Sequence, residues 1–403
     1  MKVLQINTTV NSGSTGRIAE DIGLIAMEAG YSSYIAAAYT GRPSKSEIIT
    51  IGNTIDRKLH GLKSRLLDGH GFGSARATRV LVEKIKEIKP DIIHLHNLHG
   101  YYLHVGELFN FLKQARVPVV WTLHDCWPFT GHCAHFERVN CNKWQVQCCV
   151  CPLKNGYPAS WGLDNSRKNY LAKREIFNGV KKLHIVAPSK WLAGHLKKSF
   201  LNNYPVHLIY NGIDLNSFYP RATEEIRLKY NLQEANILLG VASTWKKKKA
   251  LTDFIQLSQM IDDTEKIVLV GMSRDQIAGL PPNIIGIERT ESLDELAALY
   301  SAASVFVNPT YVDTFPNTNI EALACGTPVI TYRTGGSPEA IDERTGFVVE
   351  KADLLQLYSA IQSILKKEKI HCREICRDRA RKYFNKEDRF GDYLSLYNRL
   401  ISR

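Results

Sequence analysis

Short apolar runs that end in polar or glycine-bearing turns recur along the chain, and most are followed by a stretch of helical period. In the first half the runs are Met1–Asn7, Tyr34–Ala38, Pro90–Asn97, Val117–Asp125, His184–Lys190 and Val206–Tyr210. Their near-continuous β-branched and apolar character is that of strands buried on both faces. The pattern restarts at Asn236–Ser243 and continues through Lys266–Gly271, Asn283–Gly286, Ser304–Val307 and Pro328–Tyr332. Helical period marks Ile18–Ala26, a helix from Leu251, Leu293–Ser301, Ile320–Ala324, and the amphipathic segments Leu354–Lys366 and Asp388–Leu400. Residues 165–182 read as one long basic helix, and the basic, glycine-punctuated stretch 53–80 as loops and short helices. Strand–helix alternation in both halves predicts an α/β chain of two doubly wound domains. A length of 403 residues agrees, being more than one core comfortably serves.

The densest chemistry lies between Asn308 and Glu339, NPTYVDTFPNTNIEALACGTPVITYRTGGSPE. Two strands and the helix between them deliver two polar turns within about 30 residues, as successive βα units do. In a parallel sheet, ligands bind beyond the carboxyl ends of strands, where helix N-termini offer N–H groups to anions. Asp313 in the turn and Glu321 on the helix stand eight residues apart. The placement suits a ligand with phosphates at the helix tip and hydroxyls on either side.

This stretch resembles the donor-site signature of retaining, GT-B-fold glycosyltransferases of family 4: an acid, seven residues, Glu321, then A-L-A-C-G-T-P-V-I and G-G-S-P-E. Two departures are visible. The family usually has Glu where this chain has Asp313, and a Gly-rich turn where this chain has Thr314-Phe315-Pro316-Asn317-Thr318. Asn211-Gly212-Ile213-Asp214 followed by Phe218-Tyr219-Pro220 resembles the family's boundary between domains. The resemblance implies two Rossmann-like domains facing a central cleft, residues 1–215 and 216–383, with a helix at 384–403 returning to the first. It implies transfer of a sugar from a nucleotide-diphosphate sugar to a hydroxyl of a glycan acceptor, with retention at the anomeric carbon. By the same resemblance Glu321 holds the ribose and Asp313 the donor sugar, while backbone groups near Asn317, Thr318 and Asn319 meet the diphosphate. Lys249 matches a cation that neutralises the diphosphate. Ser243 stands near the position of the family's Arg, for which Lys248 compensates. The loop Asn11–Arg17, with Gly16 at the start of a helix, faces the donor phosphates in the family. His124, at the polar end of its strand, corresponds to a histidine close to the transferred sugar.

His94 and His96 share one face of their strand; one is expected to be buried and the other to reach the cleft. Six of the nine cysteines fall between Cys126 and Cys151. Cys133-x7-Cys141-x6-Cys148-x2-Cys151 ends in the knuckle spacing that lets two thiolates reach one tetrahedral zinc. A closed structural zinc site on these four residues is the expectation for this insertion at 126–151, with His132, His135 and Cys149 as substitutes. No metal is expected in the chemistry itself, since the resemblance implies none and no D-x-D motif is present.

Composition narrows the setting. No run of 18 apolar residues exists, and the N-terminus turns polar too soon for a signal peptide, so a cytoplasmic protein is expected. The net charge of +12 points to a polyanionic partner. No zinc finger, RRM-type motif or extended arginine tract favours nucleic acid. A lipid-diphosphate-linked glycan at the anionic inner membrane surface fits both charge and family, in surface polysaccharide assembly. Two alternatives share the architecture: a sugar-nucleotide 2-epimerase, and a non-catalytic, zinc-stabilised protein that binds sugar nucleotides.

Overall fold

The computed structural model describes residues 1–245, 251–366 and 369–402. The chain divides into two compact units, Met1–Tyr210 with Phe390–Arg403, and Asn211–Arg389. The strands of the first unit are β1 (Lys2–Val10), β2 (Ser32–Thr40), β3 (Glu47–Thr50), β4 (Ile92–Leu95), β5 (Val119–Thr122), β6 (Leu183–Ala187) and β7 (Val206–Leu208). They form one parallel sheet in the order β3-β2-β1-β4-β5-β6-β7. Its helices are α1 (Gly13–Glu28), α2 (Thr54–Leu67), α3 (Ala75–Ile88), α4 (Val105–Gln114), α5 (Ser166–Phe177) and α6 (Lys190–Leu196).

The second unit carries β8 (Asn236–Val241), β9 (Glu265–Val270), β10 (Ile284–Ile287), β11 (Val305–Asn308), β12 (Val329–Tyr332) and β13 (Gly346–Val349). This sheet is also parallel, in the order β10-β9-β8-β11-β12-β13. Its helices are α7 (Glu224–Lys229), α8 (Leu251–Leu257), α9 (Arg274–Ala278), α10 (Leu293–Ala302), α11 (Asn317–Ala324), α12 (Leu354–Leu365) and α13 (Lys369–Phe384), and α14 (Lys386–Ile401) closes the chain.

In each sheet the strand order reverses once, between β1 and β4 and between β8 and β11. A crevice opens at such a switch point, outside the strands' carboxyl ends. The strands have the burial that continuous apolar runs require: β4, β5, β11 and β12 are buried at every position.

From Phe390 onward α14 belongs to the first unit. Its period brings Phe390, Tyr393, Leu394, Tyr397 and Leu400 into one cluster with Val3, Ile22, Ile92, Val120 and Val186. The tyrosine hydroxyls tie it to strand residues: Tyr397 Oη meets His94 Nδ1 at 2.5 Å, and Thr122 Oγ1 donates to Tyr393 Oη at 3.2 Å.

Three stretches differ from expectation. Residues 53–80, read as loops and short helices, hold all of one regular 14-residue helix and the start of another. Asn53 closes a capping box on α2, accepting from Ile55 N and Asp56 N while Asp56 accepts from Asn53 N. The long basic helix is confined to Ser166–Phe177, and α13 is an additional helix between the two read in the tail.

Candidate active site

The second unit assembles its polar turns at the switch point. Ser243 is exposed just beyond the end of β8, and Asp313 lies in the turn beyond the adjacent β11. Lys248 and Lys249 lie outside the described residues. Helix α11 opens at Asn317 behind Pro316, and no side chain caps it. In its first turn the Asn319 N–H donates to the Pro316 carbonyl at 3.2 Å, and a helix N-terminus of this kind attracts anions.

A buried network holds this tip. Asn308 Nδ2, at the end of β11, donates to Asn319 Oδ1 at 2.8 Å, and Asn319 Nδ2 donates to Ser337 Oγ at 2.9 Å. Thr331 Oγ1, on β12, lies 2.6 Å from Ser337 Oγ and donates to the Asn308 carbonyl. The Asn319 side chain is thus committed to aligning two strand ends with the helix. Asn211 Nδ2 donates to Asn317 Oδ1 at 2.8 Å.

Three hydroxyls around this tip, those of Thr314, Thr318 and Thr334, are buried and make no hydrogen bond. Buried polar groups in native proteins are nearly always partnered, so three unpartnered hydroxyls at the neighbouring junctions after β11 and β12 leave bonding capacity for a water or a polar ligand. Gly335 takes φ +54°, and a Cβ there would stand 1.6 Å from the Asp313 carbonyl oxygen. The glycine lets the turn after β12 close on the turn after β11, bringing Asp313 to the same edge as the threonines.

Glu321 is buried, 7% exposed, and accepts from Tyr300 Oη on α10 at 2.8 Å. A third acid at this end, beside Asp313 and Glu321, escaped sequence reasoning. Asp253 on α8 accepts from Tyr332 Oη at 2.5 Å and Tyr311 Oη at 3.1 Å, and burial raises its pKa. It clamps α8 to the ends of β11 and β12. A lone Asp after a lysine run gives no sign of this in sequence.

In the first unit a chain of side chains fixes His124. Gln5 Nε2 donates to the Ala19 carbonyl at 2.7 Å, which turns Gln5 Oε1 towards His96 Nε2 at 3.0 Å. His96 Nε2 must then carry the proton, leaving Nδ1 to accept from His124 Nε2 at 3.1 Å. This tautomer leaves His124 Nδ1 as an acceptor. Burial lowers the His124 pKa to about 4, against the opposing pull of Asp125, so the ring is neutral at pH 7. Both His94 and His96 are buried, at 0% and 1% exposure, where one was expected to be buried and the other to reach the cleft. They share a face, ring centroids 4.0 Å apart, but His94 is bonded to Thr122 and Tyr397. His96 is bonded instead to Gln5 and His124.

Beside His124 stands a dyad that sequence reasoning missed. Asp125 Oδ2 accepts from His99 Nε2 at 2.7 Å, and His99 Nδ1 accepts from Tyr157 Oη at 3.0 Å. Burial raises the Asp125 pKa, but His99 outweighs it and the carboxyl titrates near 2. The signal was available: His99 closes the turn after β4 as Asp125 closes the turn after the adjacent β5. Gly16 is buried in the first turn of α1, where a Cβ would stand 2.7 Å from Thr9 Oγ1, so it packs helix on strand. The exposed φ > 0 glycine of that loop is Gly13, with open space beside it.

The zinc site expected on Cys133, Cys141, Cys148 and Cys151 is not found. Among the described residues no group of three or more His, Cys, Asp or Glu side chains is arranged to hold a metal ion. The four thiols line a small cavity with Phe136 and Trp144 and pack against the aromatic core of the first unit. The Cys133 thiol donates to Cys151, raising its own pKa and lowering that of Cys151 to about 7. The loop is anchored by the buried pair His132–Asp68, at 2.5 Å, and by Lys173, whose Nζ donates to the carbonyls of Trp127 and Thr130.

Comparison with known proteins agrees with this geometry. A family model described as Glycosyltransferase Family 4 matches residues 26–217, and one described as Glycosyl transferases group 1 matches residues 235–367. WcaC of Escherichia coli K12, a glycosyl transferase named for colanic acid biosynthesis, is 24% identical over 379 residues, 89% of each chain. Sucrose-phosphate synthase from Thermosynechococcus elongatus superposes with a TM-score of 0.74 at 20% identity, covering 100% of this chain and 99% of that one. Anabaena Alr3699/HepE in complex with UDP-glucose superposes with a TM-score of 0.68 at 15% identity, covering 98% of this chain and 100% of that one. With both units matched by such models and the fold shared along the whole chain, the protein belongs to the GT-B glycosyltransferases of group 1 and family 4.

Proposed function

We propose that the protein transfers a sugar, with retention of anomeric configuration, from a nucleotide-diphosphate sugar to a hydroxyl of a lipid-linked glycan in surface polysaccharide assembly. The observation that carries the donor half is the uncapped tip of α11 with its three unpaired threonine hydroxyls, set between Asp313 and Glu321. The helix tip receives the diphosphate, Glu321 the ribose and Asp313 hydroxyls of the donor sugar. Lys249 and Lys248 neutralise the charge that grows on the leaving nucleoside diphosphate, an interaction strongest in the transition state. His124 serves the reacting sugar. Its Nδ1 lone pair orients a sugar hydroxyl, while Nε2 is held by His96.

A UDP-glucose complex of one structural neighbour and the colanic acid name of one relative support a nucleotide-sugar donor and a polysaccharide setting. Among the described residues no helix is long and apolar enough to cross a membrane. Peripheral contact of a chain with net charge +12 with an anionic membrane surface is the proposed access to a lipid-linked acceptor. The test is an NMR time course of transfer by the purified chain to a water-soluble glycan acceptor. A first-formed product with the donor's anomeric configuration supports the reading, and an inverted product refutes it.

A further inference from the structure

Helix α2 is built inside out. Its inward face is polar or small: His60 is 2% and Ser64 1% exposed, and Gly61 is also buried. Its outward face is apolar: Ile55 is 68%, Leu59 61%, Leu62 52% and Leu66 47% exposed. Spacings of four, three and four residues line these four side chains into one stripe. A globular surface helix shows the reverse arrangement.

The inward face is satisfied where it is. His60 Nε2 accepts from Gly71 N at 3.1 Å and Gly73 N at 3.2 Å, and its Nδ1 meets Ser74 Oγ. Ser64 Oγ meets His70 Nδ1. A Cβ at residue 73 would stand 2.4 Å from the His60 ring, so the loop is shaped to the polar face. The stripe therefore cannot turn inward without breaking buried bonds, and it faces solvent by construction.

The apolar surface extends beyond the helix. Trp161 N donates to the Arg65 carbonyl at 2.7 Å and Leu163 N to the Leu66 carbonyl at 3.0 Å. A Cβ at Gly162, between them, would stand 2.3 Å from the Leu66 carbonyl oxygen. This close docking places Trp161, 68% exposed, and Leu163, 55% exposed, beside the end of the stripe. Cations flank the stripe: Lys58 on one side and Lys63 on the other, both exposed, with Arg65 over the Trp161 ring at 5.4 Å. The one acid of the helix, Asp56, is engaged in the capping box.

We propose that the outward face of α2, with Trp161 and Leu163, is a docking surface for an anionic lipid bilayer. An apolar stripe rimmed by lysines, with a tryptophan at its margin, matches acyl chains at its centre and anionic headgroups at its edge. Charge decides between this partner and a second copy of the chain. Two copies apposed stripe to stripe would bring their cationic rims together, whereas anionic headgroups neutralise them. The assignment deepens the reading of a lipid-linked acceptor: it names the surface that brings the enzyme to that acceptor's membrane.

The test is co-sedimentation of the full chain with vesicles of phosphatidylglycerol and phosphatidylcholine, beside pure phosphatidylcholine. The wild type is expected to bind the anionic vesicles and to lose binding in high salt. Leu59→Ser with Leu62→Ser is expected to lower partitioning by about tenfold or more, since two buried leucines leave the interface. Both substitutions lie on the solvent face, so thermal midpoint and transfer to a water-soluble acceptor should stay at wild-type levels. Tryptophan emission should shift to the blue with anionic vesicles in the wild type and not in Trp161→Phe.

A double variant that binds as the wild type does would overturn the surface and leave the lipid-linked reading standing. A wild type that transfers sugar in solution yet ignores anionic vesicles would overturn the docking surface and leave glycosyl transfer intact. A dimer abolished by the double variant, without vesicle binding, would assign the face to self-association instead.

Discussion

His124 is held by a relay, and each link constrains the next. Because Gln5 commits its amide nitrogen to Ala19, the proton positions on His96 and His124 follow without further choice. His124→Ala should lower kcat about 10²- to 10³-fold, the range of a positioned acid–base or hydrogen-bonding group, with KM for the donor little changed. Steady-state kinetics at saturating acceptor will show it, and an unchanged kcat would remove His124 from the reacting centre. His96 is a positioning residue: His96→Asn should lower kcat less and leave donor affinity alone. At this scale the sequence was half legible. A histidine closing a strand is visible in the residues, and so is a pair of acids eight apart. The partnership of His99 with Asp125 was not, because it joins turns 26 residues apart that only sheet order brings together. The convergence of Cys133, Cys141, Cys148 and Cys151 on one small cavity was only partly legible, because C-x2-C fixes the local separation of two of them and not the approach of the others.

Elements were the most legible level. Continuous apolar runs ending in polar turns marked most of the strands, because strands of a parallel sheet are buried on both faces. Two short edge strands, β3 and β13, were missed, being only four residues long and partly exposed. Helix α2 was illegible for a physical reason: its apolar period is real, but no core receives it. The turn after β12 is the element on which the proposed donor site depends most closely. Gly335→Ala has both a left-handed φ and a Cβ position 1.6 Å from the Asp313 carbonyl oxygen against it. Such a change should cost about 2 kcal/mol or more in urea denaturation and weaken donor binding in parallel. Gly13→Ala, at φ +65° with open space around it, should cost about 1 kcal/mol. Equal losses at the two positions would show that the apposition of the two turns is unimportant.

The whole molecule is two doubly wound units, a division that strand–helix alternation and length together anticipated in kind. Five histidines of the first unit, His60, His70, His94, His96 and His124, are held neutral by burial, with pKa values pushed down, to about 3 for His60 and about 4 for His124. An unfolded imidazole titrates near 6.5, so below that pH the unfolded chain binds protons that the folded chain refuses. The stability these rings allow is complete above about pH 6.5. It is lost as pH falls, until each folded pKa is reached, at up to about 1.4 kcal/mol per pH unit for each ring. Denaturant midpoints at pH 7.5 and pH 5.0 should therefore differ strongly, and coincident midpoints would contradict the buried network.

In the proposed reaction the tip of α11 and its flanking acids hold a nucleotide-diphosphate sugar. Calorimetric titration of the chain with UDP-, GDP- and ADP-sugars, beside Glu321→Gln, tests it most directly. The substitution keeps an acceptor for Tyr300 Oη while removing the charge, so folding is expected to survive. One nucleotide family is expected to bind the wild type, and the variant to bind it at least about tenfold more weakly, the loss expected for a charged hydrogen bond. No heat with any donor, or equal affinity in the variant, would contradict it.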